Sequence, residues 1–172
     1  SAKDKADEEK NRHWIKLIKE GLQNDGYVLY YQPIISLQGA EGEYYEILLR
    51  MKGPKGEILP GFFMPIADQY GLLPQLDRWV IANAIRALSE REQAGQKTTF
   101  FIKLAPQSLE DQGLLPWIAL QLKNSRLRGD ALVFEMPESK VVTNLKPARA
   151  FVRGLEQLHC GFALEQFGSG LN

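Results

Sequence analysis

Thr98-Thr99-Phe100-Phe101-Ile102-Lys103-Leu104, closed by Ala105-Pro106, is the stretch that decides the fold of this 172-residue chain. Aromatic and β-branched residues dominate it, so it predicts a strand over 98–104. A helical pattern over 107–124 leads to a second strand over 131–136, written Ala131-Leu132-Val133-Phe134-Glu135-Met136. A further helix over 146–159 leads to a third strand over 161–166. Strands separated by helices at this spacing require right-handed crossovers and a parallel sheet, which makes the chain an α/β protein.

Upstream the pattern changes. Tyr27 to Ile35 is β-rich, with Pro33 placing its end at a sheet edge or bulge. Gly39 to Gly42 reads as a hairpin turn before a strand over 44–51, and the two strands are close enough to pair antiparallel. After a turn at Gly53-Pro54-Lys55-Gly56 come a short helix over 62–70 and a longer one over 75–94. In the longer helix Leu76, Val80, Ala84 and Leu88 share a face, and Gly95 closes it. Residues 3–24 start charged and then place Trp14, Ile18 and Leu22 on one stripe of an amphipathic helix, ended by Asn24-Asp25-Gly26. That helix either packs on its own domain or connects to a preceding one. Residues 1–26 are accordingly read as an amphipathic helix or linker, with Ser1-Ala2 set aside as a cleavage scar, and 27–172 as a partial domain. Its last residues, Gly168-Ser169-Gly170-Leu171-Asn172, follow a strand where a helix is due, the ending expected of a truncated domain.

Composition narrows the function. The chain is 44% hydrophobic and 24% charged, in the ordinary globular range. Its 21 basic residues balance its 21 acidic ones, which argues against a nucleic-acid or anionic-membrane surface. A small phosphate ligand needs only one or two placed cations and stays open. One cysteine, Cys160, precludes an internal disulfide and fits a reducing compartment. No apolar run reaches the roughly 18 residues of a spanning helix, so no direct membrane contact is expected of this segment. Cys160 reads as a small buried hydrophobe, and His13 and His159 as structural or solvent-facing residues.

Four apolar runs each carry a polar group near the end where functional residues of α/β folds gather: Glu46, Lys103, Glu135 and the pair Glu165-Gln166. Carboxylates alone would suit a divalent metal. A lysine does not, because an ammonium has no lone pair to give. Apolar neighbours suggest that Glu135 is buried, and a buried carboxylate needs a partner, a role Lys103 is expected to fill for Glu135 or Glu46.

Seven segments in order carry a resemblance. They are Tyr31-Gln32-Pro33-Ile34, Glu46-Ile47-Leu48-Leu49-Arg50, Phe63-Met64-Pro65-Ile66-Ala67, Asp77-Arg78-Trp79-Val80, Pro106-Gln107-Ser108-Leu109, Phe134-Glu135-Met136-Pro137-Glu138-Ser139 and the run from Gly161 to Gly170. From about Tyr27 onward the chain resembles the EAL domain, the module that cleaves the bacterial second messenger cyclic di-GMP. The resemblance implies a TIM-barrel-like fold with one antiparallel strand. Such barrels need about 250 residues, so the C-terminal strands would be absent here.

Active members of that family resemble two-metal phosphodiesterases. By the same resemblance, Glu46 and Glu135 match metal-ligand glutamates, Lys103 stands where the family has an asparagine, and Glu165-Gln166 stands where it has two aspartates. These five positions sum to a formal charge of −2. A fixed charge ~4 Å from a cation costs about 4 kcal/mol at an effective dielectric near 20, roughly a thousandfold in affinity. No metal is therefore expected, with Glu46 and Glu135 the residual candidates and Mg²⁺ or Mn²⁺ relevant only to residual activity.

The resemblance also implies ligand contacts that survive: Gln32 for a guanine edge, Leu48 against a base, Arg50 for a phosphate and Asp77 for guanine N–H groups. Intact nucleotide contacts beside a damaged metal set look like the FimX-type receptor subgroup of the family, involved in twitching motility and biofilm control. The leading expectation is an inactive cyclic di-GMP receptor that signals to a protein partner or to GGDEF or sensor domains of its own chain. A weakly active metal-dependent phosphodiesterase and a ligand-free interaction scaffold using the Trp14–Ile18 helix are the alternatives.

Overall fold

The computed structural model describes residues 1–38 and 41–165. Its strands are β1 (Tyr27–Pro33), β2 (Glu43–Gly53), β3 (Gly56–Ile58), β4 (Thr98–Lys103), β5 (Leu132–Pro137) and β6 (Gly161–Glu165). Its α-helices are α1 (Ala2–Gln23), α2 (Met64–Gln69), α3 (Leu73–Gln93), α4 (Leu114–Ser125), α5 (Glu138–Thr143) and α6 (Leu145–Gln157). The strands form one sheet in the order β1-β2-β4-β5-β6, with β3 paired to β2. β2, β4, β5 and β6 run parallel, and β1 and β3 lie antiparallel to β2. This is the expected mixed α/β sheet. Gly39, Ala40 and Gln166 lie outside the described residues, so the expected turn at 39–42 is described only in part.

Side chains alternate across a strand, and the two faces of this sheet differ accordingly. Ile47, Phe100, Ile102, Leu132, Phe134 and Met136 are all buried on one face, against Ile81, Ile85 and Leu88 of α3, Ile118 of α4 and Phe151 and Leu155 of α6. Glu46, Phe101, Lys103, Val133, Glu135 and Glu165 point to the other face, which carries the polar groups. The hydrophobic core therefore fixes which way the candidate site looks. A one-residue slip in β4 or β5 would bury Lys103 or Glu135 under the helices.

A second apolar cluster seats α1. Ile18 is fully buried with Tyr27, Met51, Phe63, Ala67 and Leu76. The Tyr27 hydroxyl donates to the Ile18 carbonyl at 2.9 Å, tying β1 to the helix. Ile18 thus belongs to the core and is no free docking surface. Ser1 is also part of the structure, since its hydroxyl accepts from the Asp4 N–H at 3.2 Å and caps α1.

Three local expectations change. The turn at 53–56 opens a hairpin, with β3 pairing Ile58 to Met51 and Glu57 to Lys52. The single helix expected over 107–124 is a 3-10 turn at Pro106–Glu110 followed by α4. The break falls at Asp111, whose carboxylate accepts the Arg78 fork at 2.8–3.0 Å and the Gly113 N–H at 3.1 Å. Finally, α6 stops at Gln157, and His159 takes a left-handed backbone (φ 63°). Cys160 behind it is buried, and burial pushes its thiol up to about 12. It packs as a small hydrophobe.

Candidate functional site

The acidic positions assemble on one sheet face in a staggered row. Glu46 lies beside Phe101, Lys103 beside Glu135, and Glu165 beside Pro137 at the ends of β6 and β5. Glu46 sits in the first half of β2 rather than near its end. β2 pairs with β4 only over Glu43–Glu46, and its remaining length pairs with β1 and β3. That overhang carries Leu48 and Arg50 on the same face as Glu46, and Gln32 stands across from Glu46 on β1. Gln32, Glu46, Leu48 and Arg50 are thus brought together with Lys103, Glu135 and Glu165.

Lys103 does not serve the partner expected for it. Its ammonium lies 3.7 Å from Glu165, and among the described residues it makes no ion pair with Glu46 or Glu135. The cause is reach: Lys103 is half exposed at the end of β4, where its side chain extends toward the outer end of β6. The two glutamates are left to each other. Burial pushes the Glu46 carboxyl far above the usual range, a hydrogen bond and repulsion from Glu135 push it further, and Lys103 opposes them. With both groups ionised neither has a donor, and Glu46 Oε2 and Glu135 Oε1 are buried without hydrogen-bond partners. A proton on Glu46 supplies a donor that lets the pair bond to each other.

This donor set does not fit a two-ion centre. Among the described residues no three His, Cys, Asp or Glu side chains are grouped to hold a metal ion. Lys103 sets an ammonium among these carboxylates and engages the third of them, Glu165, at 3.7 Å.

Asp77 stands apart from the sheet face. It lies on α3, buried, where its Oδ2 accepts the Ala105 N–H at 2.9 Å and the Ser108 hydroxyl at 2.6 Å. These bonds pin the chain that leaves β4. Burial raises the Asp77 carboxyl to about 6 against the pull of both donors. Arg50 also has local partners: its guanidinium lies 3.9 Å over the Tyr30 ring and 3.7 Å from Glu57. The Tyr30 hydroxyl donates to the same Glu57 carboxylate. Tyr30 and Glu57 escaped the sequence reading. The turn at 53–56 did not by itself place Glu57 opposite Lys52, because the three-residue β3 is too short to show alternation.

Hollows of about 360 and 280 Å³ lie along α3, lined by residues such as Tyr31, Trp79, Arg86 and Phe100, and contain none of the predicted site residues.

Comparison with known proteins agrees with this fold. The EAL domain family matches residues 16–172. The FimX EAL domain of Xanthomonas citri, solved in complex with c-diGMP, superposes with a TM-score of 0.86 at 36% identity, over 97% of this chain and 65% of that one. The FimX EAL domain of Pseudomonas aeruginosa, bound to c-di-GMP, gives a TM-score of 0.83 at 41% identity, over 92% of this chain and 64% of that one. Among curated proteins, the cyclic di-GMP phosphodiesterase PdeF of Escherichia coli is 32% identical over 154 residues, which are 89% of this chain and 20% of PdeF. The chain therefore spans about a fifth of that relative's length.

Proposed function

Because the chain belongs to the EAL domain family, we propose that it acts in cyclic di-GMP signalling as a receptor that binds the dinucleotide without hydrolysing it. The observation that carries this reading is the contrast on one sheet face. Arg50, Leu48 and Gln32 keep a cation, an apolar surface and an amide where a phosphate and a base would lie. Beside them Lys103 places an ammonium 3.7 Å from Glu165, a fixed charge that repels divalent ions. Both FimX domains named above were solved with the dinucleotide, which supports the ligand assignment.

In this role Arg50 takes a phosphate through its fork, Leu48 lies against a base, Gln32 meets a guanine edge, and Asp77 offers an oxygen to guanine N–H groups. The signal then passes to a protein partner or to GGDEF or sensor domains. Isothermal titration of the full-length protein with cyclic di-GMP in EDTA is the test. Micromolar or tighter binding that Arg50→Ala abolishes supports the receptor, and absence of binding overturns it.

A second reading, slow metal-dependent hydrolysis, draws on the phosphodiesterase name of PdeF. Turnover to the linear dinucleotide with Mn²⁺ would decide for it.

A further inference from the structure

Arg50 has a carboxylate beside it already. Cross-strand geometry makes Lys52 the natural partner of Glu57, since the two are register partners and opposite charges across a pair attract. Glu57 instead lies 3.7 Å from the diagonal neighbour Arg50 and accepts the Tyr30 hydroxyl. Tyr30 does two jobs in this arrangement: its ring holds the guanidinium plane at 3.9 Å, and its hydroxyl holds the anion next to it. Arg50 and Glu57 are both about one-third exposed, so water and solutes reach the pair.

We infer that Glu57 is an internal anion that occupies Arg50 in the empty protein and must give way when a ligand phosphate takes the guanidinium. The inference rests on the reading of Arg50 as a phosphate contact and assigns Glu57 the regulation of that site. Two consequences follow from charge alone. A phosphate arriving at Arg50 meets repulsion from Glu57, which lowers affinity for anions. The same carboxylate keeps Arg50 oriented and neutralised when no ligand is present, so weak anions at cellular concentration do not settle there. Because the pair is exposed, salt screens the repulsion, and its effect fades as ionic strength rises.

The test compares wild type with Glu57→Gln in the full-length protein, titrated with cyclic di-GMP in EDTA at about 50 mM and about 500 mM salt. Glutamine keeps the shape and an oxygen for the Tyr30 hydroxyl but removes the charge. The expected result is binding about three- to tenfold tighter than wild type at low salt, shrinking to less than about twofold at high salt. Equal or weaker binding by the variant at low salt overturns the inference, as does a gain that salt does not change. If wild type binds and the variant is unimproved, only the role of Glu57 falls. Binding by Glu57→Gln alone supports the role of Glu57 as a block. If neither protein binds, the receptor reading falls together with it.

Discussion

Lys103 pairs with Glu165 at 3.7 Å although Glu135 is its register partner on the neighbouring strand. The ammonium thus spends its charge at the outer end of the sheet, while Glu46 and Glu135 face each other further in. Restoring the family pattern should reverse this. Lys103→Asn with Glu165→Asp and Gln166→Asp removes the cation and adds a carboxylate. The ceiling for removing one like charge ~4 Å from a metal is about 4 kcal/mol, and solvent lowers it because Lys103 is half exposed. We expect Mn²⁺ affinity, read by calorimetric titration, to rise at least about tenfold. Unchanged affinity would sink the electrostatic account.

The Glu46–Glu135 pair makes stability depend on pH with a definite sign. The folded carboxyl of Glu46 is raised to about 9 from 4.5, so between those values the folded state holds a proton that the unfolded state has lost. Its contribution is therefore full below about pH 4.5 and is lost as pH rises toward 9. The ceiling is about 1.4 kcal/mol per pH unit, and partial solvent access reduces it to a fraction of that. Urea midpoints measured from pH 7 to 8.5 lie at least about a unit above the value of Asp77. Wild type should weaken steadily across that range, and Glu46→Gln should flatten the slope. A wild-type midpoint that holds constant there would refute the shared proton.

Whether α1 is a linker or part of the domain has a direct test in Ile18. That side chain is fully buried among Tyr27, Phe63 and Leu76. Truncating it leaves a cavity, so Ile18→Ala should cost about 2–5 kcal/mol in a single cooperative unfolding transition. Lys16→Ala on the exposed side of the same helix should cost less than about 0.5 kcal/mol. A change near zero for Ile18→Ala would mean that the helix is not seated on the domain in solution.

The sheet was legible in the sequence because its central strands are short apolar runs whose alternate residues must be buried, as Phe100, Ile102, Phe134 and Met136 are. The strand-end polar residues were legible for the same reason, since a charged residue in such a run has only the other face to occupy. β3 was hidden because Gly56-Glu57-Ile58 is too short to show alternation. The break in the 107–124 helix depends on Arg78 reaching Asp111 across 33 positions of sequence, which no local pattern reports. Lys103 was assigned the wrong partner because the choice turns on stagger: β6 ends with Glu165 beside Pro137, two residues past Glu135.

Asp77 is expected to serve structure and ligand with different oxygens, and the two roles separate by substitution. Both of its protein bonds end on Oδ2, from the Ala105 N–H and the Ser108 hydroxyl, and Oδ1 is the oxygen proposed to meet guanine. Asp77→Ala strips both donors of their partner in a buried place, and should cost about 2–4 kcal/mol. Asp77→Asn keeps one acceptor oxygen for those donors and removes a charge that burial disfavours. The folded carboxyl is raised to about 6 from 3.8, so its stabilising proton is lost above that pH and the ionised group is at a disadvantage there. At pH 8 the asparagine variant should therefore match or exceed wild-type stability in urea. Its amide, however, turns a donor toward guanine N–H groups where an acceptor is needed. Cyclic di-GMP titration should show at least about a tenfold loss for Asp77→Asn despite its intact fold. Wild-type affinity in that variant would confine Asp77 to holding the chain that leaves β4.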